Sequence, residues 1–236
     1  PEAAGLHVEA GRRRAAAAEL EARERARAGL PERWGPMGPG GAPVQVALLP
    51  QSPEFQRVAR LFEATCEKRI VAIHRVQHAA LWRSYTLYRD FTIAPSNDGD
   101  ANERQLFHGA DRDAISQIST ADAAASQCFK WDRITTHASG WGIYFARDAQ
   151  RSIAQRCGPP DAAGEQRMYL ARVAVGSYTF GAQPVSGAPK PTCDVPGRDP
   201  AALTLFDTVV DDVRNPSVFV VFRDAAAYPE YVITFR

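Results

Sequence analysis

The spacing of apolar positions changes period several times between residues 44 and 109. Val44 to Leu49 is an apolar run of strand length. Phe55, Val58, Leu61, Phe62 and Thr65 then recur at helical spacing and predict an amphipathic helix facing a core. Its start is marked by Ser52-Pro53-Glu54, which supplies an N-cap hydroxyl, a proline at the first helical position and an acid in the first turn. Ile70 to Val76 is strand-like, and Leu81, Trp82, Tyr85 and Tyr88 lay an aromatic stripe along a second helix, where it reads as core packing. A loop rich in Asn, Asp and Gly, Pro95 to Asn102, leads into a strand that contains His108.

The C-terminal half alternates strands and loops: Met168 to Val175, Thr204 to Val210, Val218 to Phe222 and Val232 to Phe235. Without repeated helical crossovers, this order predicts an α+β fold with a largely antiparallel sheet. No Gly-x-Gly-x-x-Gly follows a strand and no Walker loop is present, so a dinucleotide would have to bind in some other way. Residues 1–29 are mostly Ala, Arg and Glu with almost no large apolar side chain. They predict a helical or disordered linker, and the Pro/Gly-rich stretch from Pro31 to Pro43 marks a boundary.

At 236 residues the chain is long enough to bury a sizeable core. Its 28 basic and 27 acidic residues leave a net charge of +1, which predicts no electrostatic attraction to nucleic acid or membrane. The longest apolar runs are strand-sized and the N-terminus has no apolar signal core, so the chain reads as soluble and unexported. Cys66, Cys128, Cys157 and Cys193 are widely spaced, with no zinc-ligand pattern. They read as reduced thiols of a cytoplasmic or nuclear protein, with a disulfide pair left open by the even count.

Three short stretches carry candidate chemistry: Leu106-Phe107-His108-Gly109, Gly142-Ile143-Tyr144-Phe145-Ala146 and Tyr228-Pro229-Glu230-Tyr231. Taken singly, each is ordinary: a strand-end histidine is usually structural, and a glutamate beside a terminal strand usually faces solvent. In this order they resemble the His-Tyr-Glu triad of the poly(ADP-ribose) polymerase family, enzymes that break NAD at its nicotinamide bond and transfer ADP-ribose. Leu30-Pro31-Glu32-Arg33-Trp34, Arg75-Val76-Gln77-His78, Ala101-Asn102-Glu103-Arg104 and Val220-Val221-Phe222-Arg223-Asp224 extend the resemblance over residues 30–236, as one catalytic domain.

The resemblance implies an ADP-ribosyltransferase fold of two packed, split, antiparallel-rich sheets with flanking helices, and a reaction that needs no metal. It assigns Glu230 to catalysis, through the 2′-hydroxyl of the nicotinamide ribose, and His108 to a ribose hydroxyl of the adenosine half. Gly109 and Ser152 would hold the carboxamide, and Tyr144 would form a wall for the nicotinamide ring. A carboxylate suits a centre where oxocarbenium character develops, and a planar amide needs one donor and one acceptor. The implied partners are NAD and a protein acceptor, the chain itself among the options.

The sequence also departs from the family. Ala110 offers no hydroxyl after the His-Gly pair, the second aromatic wall falls on Cys157 or Gln155, and Ser139 stands where an aromatic usually opens the tyrosine motif. Trp141 is a candidate to compensate. Glu230 permits polymer formation without requiring it, and residues 181–200 fall where the family has its acceptor-facing loop. A catalytically silent module on the same fold is the rival reading. An RNA-modifying relative, as in tRNA 2′-phosphotransferases, would need a basic stripe that the near-neutral charge disfavours.

Overall fold

The computed structural model describes residues 29–109, 133–134, 142–181 and 205–236. Ala110, Cys128, Ser139, Trp141, Cys193 and the acceptor-facing stretch from residue 182 lie outside them, as does the linker to residue 28. The chain divides into two compact units, Pro1–Gly41 and Ala42–Arg236. In the first, the Trp34 N–H closes a turn on the Pro31 carbonyl at 3.0 Å, and Pro39–Gly41 forms a 3₁₀ turn.

The second unit carries the sheet and its helices. Helix α1 (Pro53–Glu63) starts as its sequence predicts, with Ser52 Oγ accepting the Phe55 N–H at 3.2 Å. Val58, Ala59 and Phe62 form its buried stripe; Leu61, expected to face the core, is 39% exposed at the edge of that stripe. Helix α2 (Ala79–Tyr88) buries Trp82 and Tyr85, whose rings lie 5.1 and 6.3 Å from that of Tyr228. It runs on into a π turn at Arg89–Ile93. Helix α3 (Ala149–Arg156) is capped from outside: Asp148 occupies the N-cap position without capping, and Thr65 Oγ1 accepts the Ala149 N–H at 2.8 Å.

Among the described residues, ten strands follow in chain order: β1 (Val44–Ala47), β2 (Ile70–Gln77), β3 (Glu103–Gly109), β4 (Arg133–Ile134), β5 (Gly142–Ala146), β6 (Gln166–Ala174), β7 (Tyr178–Phe180), β8 (Thr208–Val210), β9 (Val218–Val221) and β10 (Ala227–Phe235). They hydrogen-bond in the order β1-β2-β10-β6-β3-β5-β9-β8-β7, with β4 on β5. All pairs are antiparallel except β7 with β8. By hydrogen bonding the strands form one continuous sheet rather than the two expected, and its narrowest junction, the split, lies between β3 and β5, joined at one register position, Phe107 opposite Ala146.

Strand alternation sorts the core onto two faces. Leu106, Tyr169, Ala171 and Val173 share one cluster with Phe145 and Phe219. Phe107, Met168, Leu170 and Ile233 share the other with Val58 and Phe62 of α1. Gly142 sits where a Cβ would collide with Val220 and the Val221 carbonyl of β9. Gly142→Ala should therefore cost about 1–3 kcal/mol of stability, read as a lower denaturant midpoint with unchanged slope.

Neutral histidine also supports this unit. His78 Nδ1 accepts the Leu81 N–H at 3.3 Å as the cap of α2, so that nitrogen must be unprotonated. Burial lowers the pKa of both His74 and His78 from 6.5, with the Arg167 charge adding to the effect at His74. The unfolded chain then binds more protons just below that value. Stability should be full above about pH 6.5 and fall as pH drops through the lowered folded pKa values, a trend thermal midpoints between pH 7.5 and 5 would record.

Candidate active site

The strand pair at the split carries the first two candidates. His108, the penultimate residue of β3, is 2% exposed, and its Nδ1 lies 2.7 Å from the Tyr144 carbonyl oxygen on β5. A carbonyl only accepts, so Nδ1 carries the proton and Nε2 is the acceptor end of the neutral ring. The imidazole also packs 5.3 Å from the Phe145 ring. Beyond Phe107 and Ala146 the two strands share no further register, and Gly109 ends β3 opposite Met168 of β6. The main chain of His108-Gly109 thus arrives at the edge of the parting.

Tyr144 is opposite Val220 of β9 and clusters with Val209, Val218 and Val220 on one face. Ser152 is 3% exposed on α3, whose Ala149 and Ile153 pack with Phe107. His108, Gly109, Tyr144 and Ser152 therefore belong to three elements that meet around the split. Val218, opposite Ala146, stands on the same face as Tyr144, two residues from its partner Val220. In the sequence Val218 reads only as the first residue of a strand.

Glu230, expected to converge with His108 and Tyr144, stands on β10, apart from this group in the strand order. β10 begins at Ala227 rather than at Val232, so Glu230 is inside the strand and 1% exposed, which overturns the surface reading. Two strands, β6 and β3, separate β10 from β5, a distance of about 14 Å at the usual spacing. Pro229 is opposite Ala171 and Tyr231 opposite Leu170, so Glu230 is the extra residue of a β-bulge. The bulge turns the consecutive side chains of Glu230 and Tyr231 toward one helix-covered face.

There Gln105 Nε2 donates to Glu230 Oε2 at 2.7 Å, and Arg172 Nε lies 2.9 Å from Oε1, an ion pair by distance whose N–H is poorly aligned. Gln105 is three residues before His108, about 10 Å along β3. Its Oε1 accepts from Arg57 at 2.8 Å, and Arg57 also donates to Tyr231 Oη at 2.9 Å. Tyr231 donates to Glu54, which pairs with Arg75 at 2.6 Å. On the other side Arg172 bonds Glu103, which also accepts from Tyr85 and Arg89.

Burial works against charge on Arg172 and Glu103, but their partners prevail. Glu230 and Glu103 raise the Arg172 pKa. Hydrogen bonds from Tyr85 and Arg89, with the Arg172 charge, hold Glu103 below the usual carboxylate range. Cys157, one of the two positions expected for the second wall with Gln155, donates Sγ to the Arg167 carbonyl at 3.5 Å and packs against the core cluster that holds Phe107. Among the described residues no cluster of three or more His, Cys, Asp or Glu could hold a metal ion, and no helix is long and apolar enough to cross a membrane.

Comparison with known proteins gives this arrangement a context. The family described as the poly(ADP-ribose) polymerase catalytic domain matches residues 52–236. Protein mono-ADP-ribosyltransferase PARP14 of Homo sapiens is 38% identical over 209 residues, 88% of this chain and 11% of the relative. Protein mono-ADP-ribosyltransferase PARP10 of Mus musculus is 32% identical, over 80% of this chain and 19% of its own length. Protein mono-ADP-ribosyltransferase PARP12 of Homo sapiens is 34% identical, over 81% and 25%. The chain thus spans at most a quarter of the length of these three relatives.

Proposed function

Because the chain belongs to the poly(ADP-ribose) polymerase catalytic-domain family, we propose that it transfers ADP-ribose from NAD to a protein side chain, one unit at a time. Residues 30–236 are the catalytic domain in this reading. The observation that carries it is the split after Phe107 and Ala146, around which His108, Gly109, Tyr144 and Ser152 gather. The Gly109 main chain and the Ser152 hydroxyl supply the donor and acceptor that a carboxamide needs, and the absence of a side chain at Gly109 permits close approach. The Tyr144 ring supplies an aromatic face for the nicotinamide. His108 presents Nε2 as acceptor to a ribose hydroxyl while Nδ1 stays on the Tyr144 carbonyl.

In the reaction the bond between nicotinamide nitrogen and ribose C1′ breaks, and the electron pair leaves with neutral nicotinamide. An acceptor nucleophile bonds to C1′ and gives up its proton. Transfer of single units is assigned to the face Tyr144 shares with Val218 and Val220 of β9, which is apolar and offers no carboxylate to activate the hydroxyl of an attached ADP-ribose. The relatives' names as mono-ADP-ribosyltransferases point the same way. Glu230 is in this reading a structural acid. The acceptor is a protein, the chain itself included; no metal, nucleic acid or membrane takes part. A cytoplasmic or nuclear setting belongs to this reading.

Val218 also favours a second reading, a silent module that binds NAD without cleaving it. Incubation with NAD, followed by assay of free nicotinamide and intact mass, separates the two. Nicotinamide release with additions of single ADP-ribose units is expected. A ladder of additions on one site would contradict single transfer, and binding without release would favour the silent module.

A further inference from the structure

The proposed pocket draws on β5 with Tyr144, β9 with Val218 and α3 with Ser152. β5 and β9 are locked by a ladder from Ile143 opposite Val221 to Ala146 opposite Val218. A helix has no ladder to hold it to β9, and a polar cluster at the β8–β9 turn does that work. Asp211 Oδ1 accepts the N–H of Ser217 at 2.9 Å and of Val218 at 2.8 Å, while Oδ2 accepts Ser217 Oγ at 2.6 Å. Arg151, the neighbour of Ser152, donates Nη1 to Ser217 Oγ at 2.6 Å and brings Nη2 to 3.4 Å from Asp211 Oδ2. Ser217 Oγ therefore donates to the strand-end acid and accepts from the helix.

We infer that Asp211 and Arg151 are positioning residues for the nicotinamide end of the site, clamping α3 to β9 so that Ser152 keeps its place relative to Tyr144. The inference rests on the reading of these residues as the NAD site. Hydrogen bonding to a planar amide tolerates only a few tenths of an ångström, so a small drift of α3 removes the Ser152 contact. Burial pushes the Asp211 carboxyl up, but Ser217, the two N–H groups and the Arg151 charge hold it below the usual range. The Arg151 side chain is 41% exposed and that of Asp211 29%, so the pair adds little to global stability. A positioning role and a merely structural one therefore have different signatures.

The test compares the unmutated chain with Asp211→Asn, Arg151→Ala, Arg151→Lys and the double variant Asp211→Asn/Arg151→Ala. NAD affinity is measured by calorimetry, kcat and KM by nicotinamide release, and integrity by thermal midpoint. Asp211→Asn keeps an acceptor for both N–H groups but loses the charge that faces Arg151. It and Arg151→Ala should each weaken NAD affinity and raise KM about tenfold, with a smaller fall in kcat and midpoints within about 3 °C of the parent. The double variant should be no worse than the weaker single one, since both act through one contact. Arg151→Lys should restore part of the affinity, because an ammonium keeps the charge but lacks the planar fork that reaches both oxygens. Parental affinity in the single variants, or affinity lost only in step with the midpoint, overturns the inference. NAD binding without nicotinamide release removes the proposed activity while the affinities still judge the clamp; no NAD binding in the parent removes both.

Discussion

His108→Ala is expected to lower nicotinamide release by about 10²-fold, more than the loss of one ligand hydrogen bond accounts for. The imidazole spans two jobs. Nδ1–H holds the Tyr144 carbonyl at 2.7 Å beside the one registered pairing of β3 with β5, and Nε2 is the acceptor end of the ring in the proposed role. Removing the ring leaves a buried carbonyl short of a donor and loosens the junction that sets Gly109 against Tyr144. His108→Asn separates the two effects. Its amide N–H stands near the place of Nδ1–H and keeps the junction, but nothing replaces Nε2. The asparagine variant should therefore retain more of the thermal midpoint than alanine while still losing NAD affinity. Equal activity of the alanine variant and the parent would remove His108 from the site.

The sequence carried the local elements well because their causes are local. Ser52-Pro53-Glu54 started α1 where its capping chemistry required, and the aromatic stripe of α2 went into the core. Leu106-Phe107-His108-Gly109 and Gly142 to Ala146 read as strands and are strands. What sequence could not supply was strand order. Two late strands, β9 and β10, both follow the tyrosine motif, and only hydrogen bonding far along the chain decides which becomes the neighbour of β5. Tyr228-Pro229-Glu230-Tyr231 matches the expected local string, and nothing local distinguishes it from the acid's true place in the sheet. The fold instead set β9 beside β5, with Val220 opposite Tyr144 and Val218 on the same face. The bulge at Glu230 was equally hidden, since one extra residue in a ladder leaves no periodic trace in an apolar strand of nine residues. The cap of α3 by Thr65, 84 positions away, was out of reach for the same reason.

Glu230→Ala should lower the unfolding free energy by about 3 kcal/mol, at the low end for a broken buried ion pair because the Arg172 side chain is 24% exposed. For a domain of this size the thermal midpoint should fall by about 6–12 °C. Two groups lose their partner at once: the Gln105 amide at 2.7 Å and the Arg172 guanidinium at 2.9 Å. Arg172 keeps Glu103, which limits the loss, while Gln105 keeps only Arg57. Glu230→Gln should cost less, since an amide oxygen still accepts one of the two bonds, although its NH₂ then faces a donor. The decisive comparison is between stability and chemistry. A catalytic carboxylate replaced by its amide should lose about 10²–10³ in rate with little change in folding. A carboxylate that ties β10 to β3 and β6, about 14 Å from β5, should do the reverse. Glu230→Gln is thus expected to release nicotinamide within about threefold of the parent at a temperature where both are folded, a window that loss of the smallest such catalytic group already exceeds. A loss of two orders of magnitude at an unchanged midpoint would return Glu230 to the chemistry and require β10 to approach Tyr144 in the working enzyme.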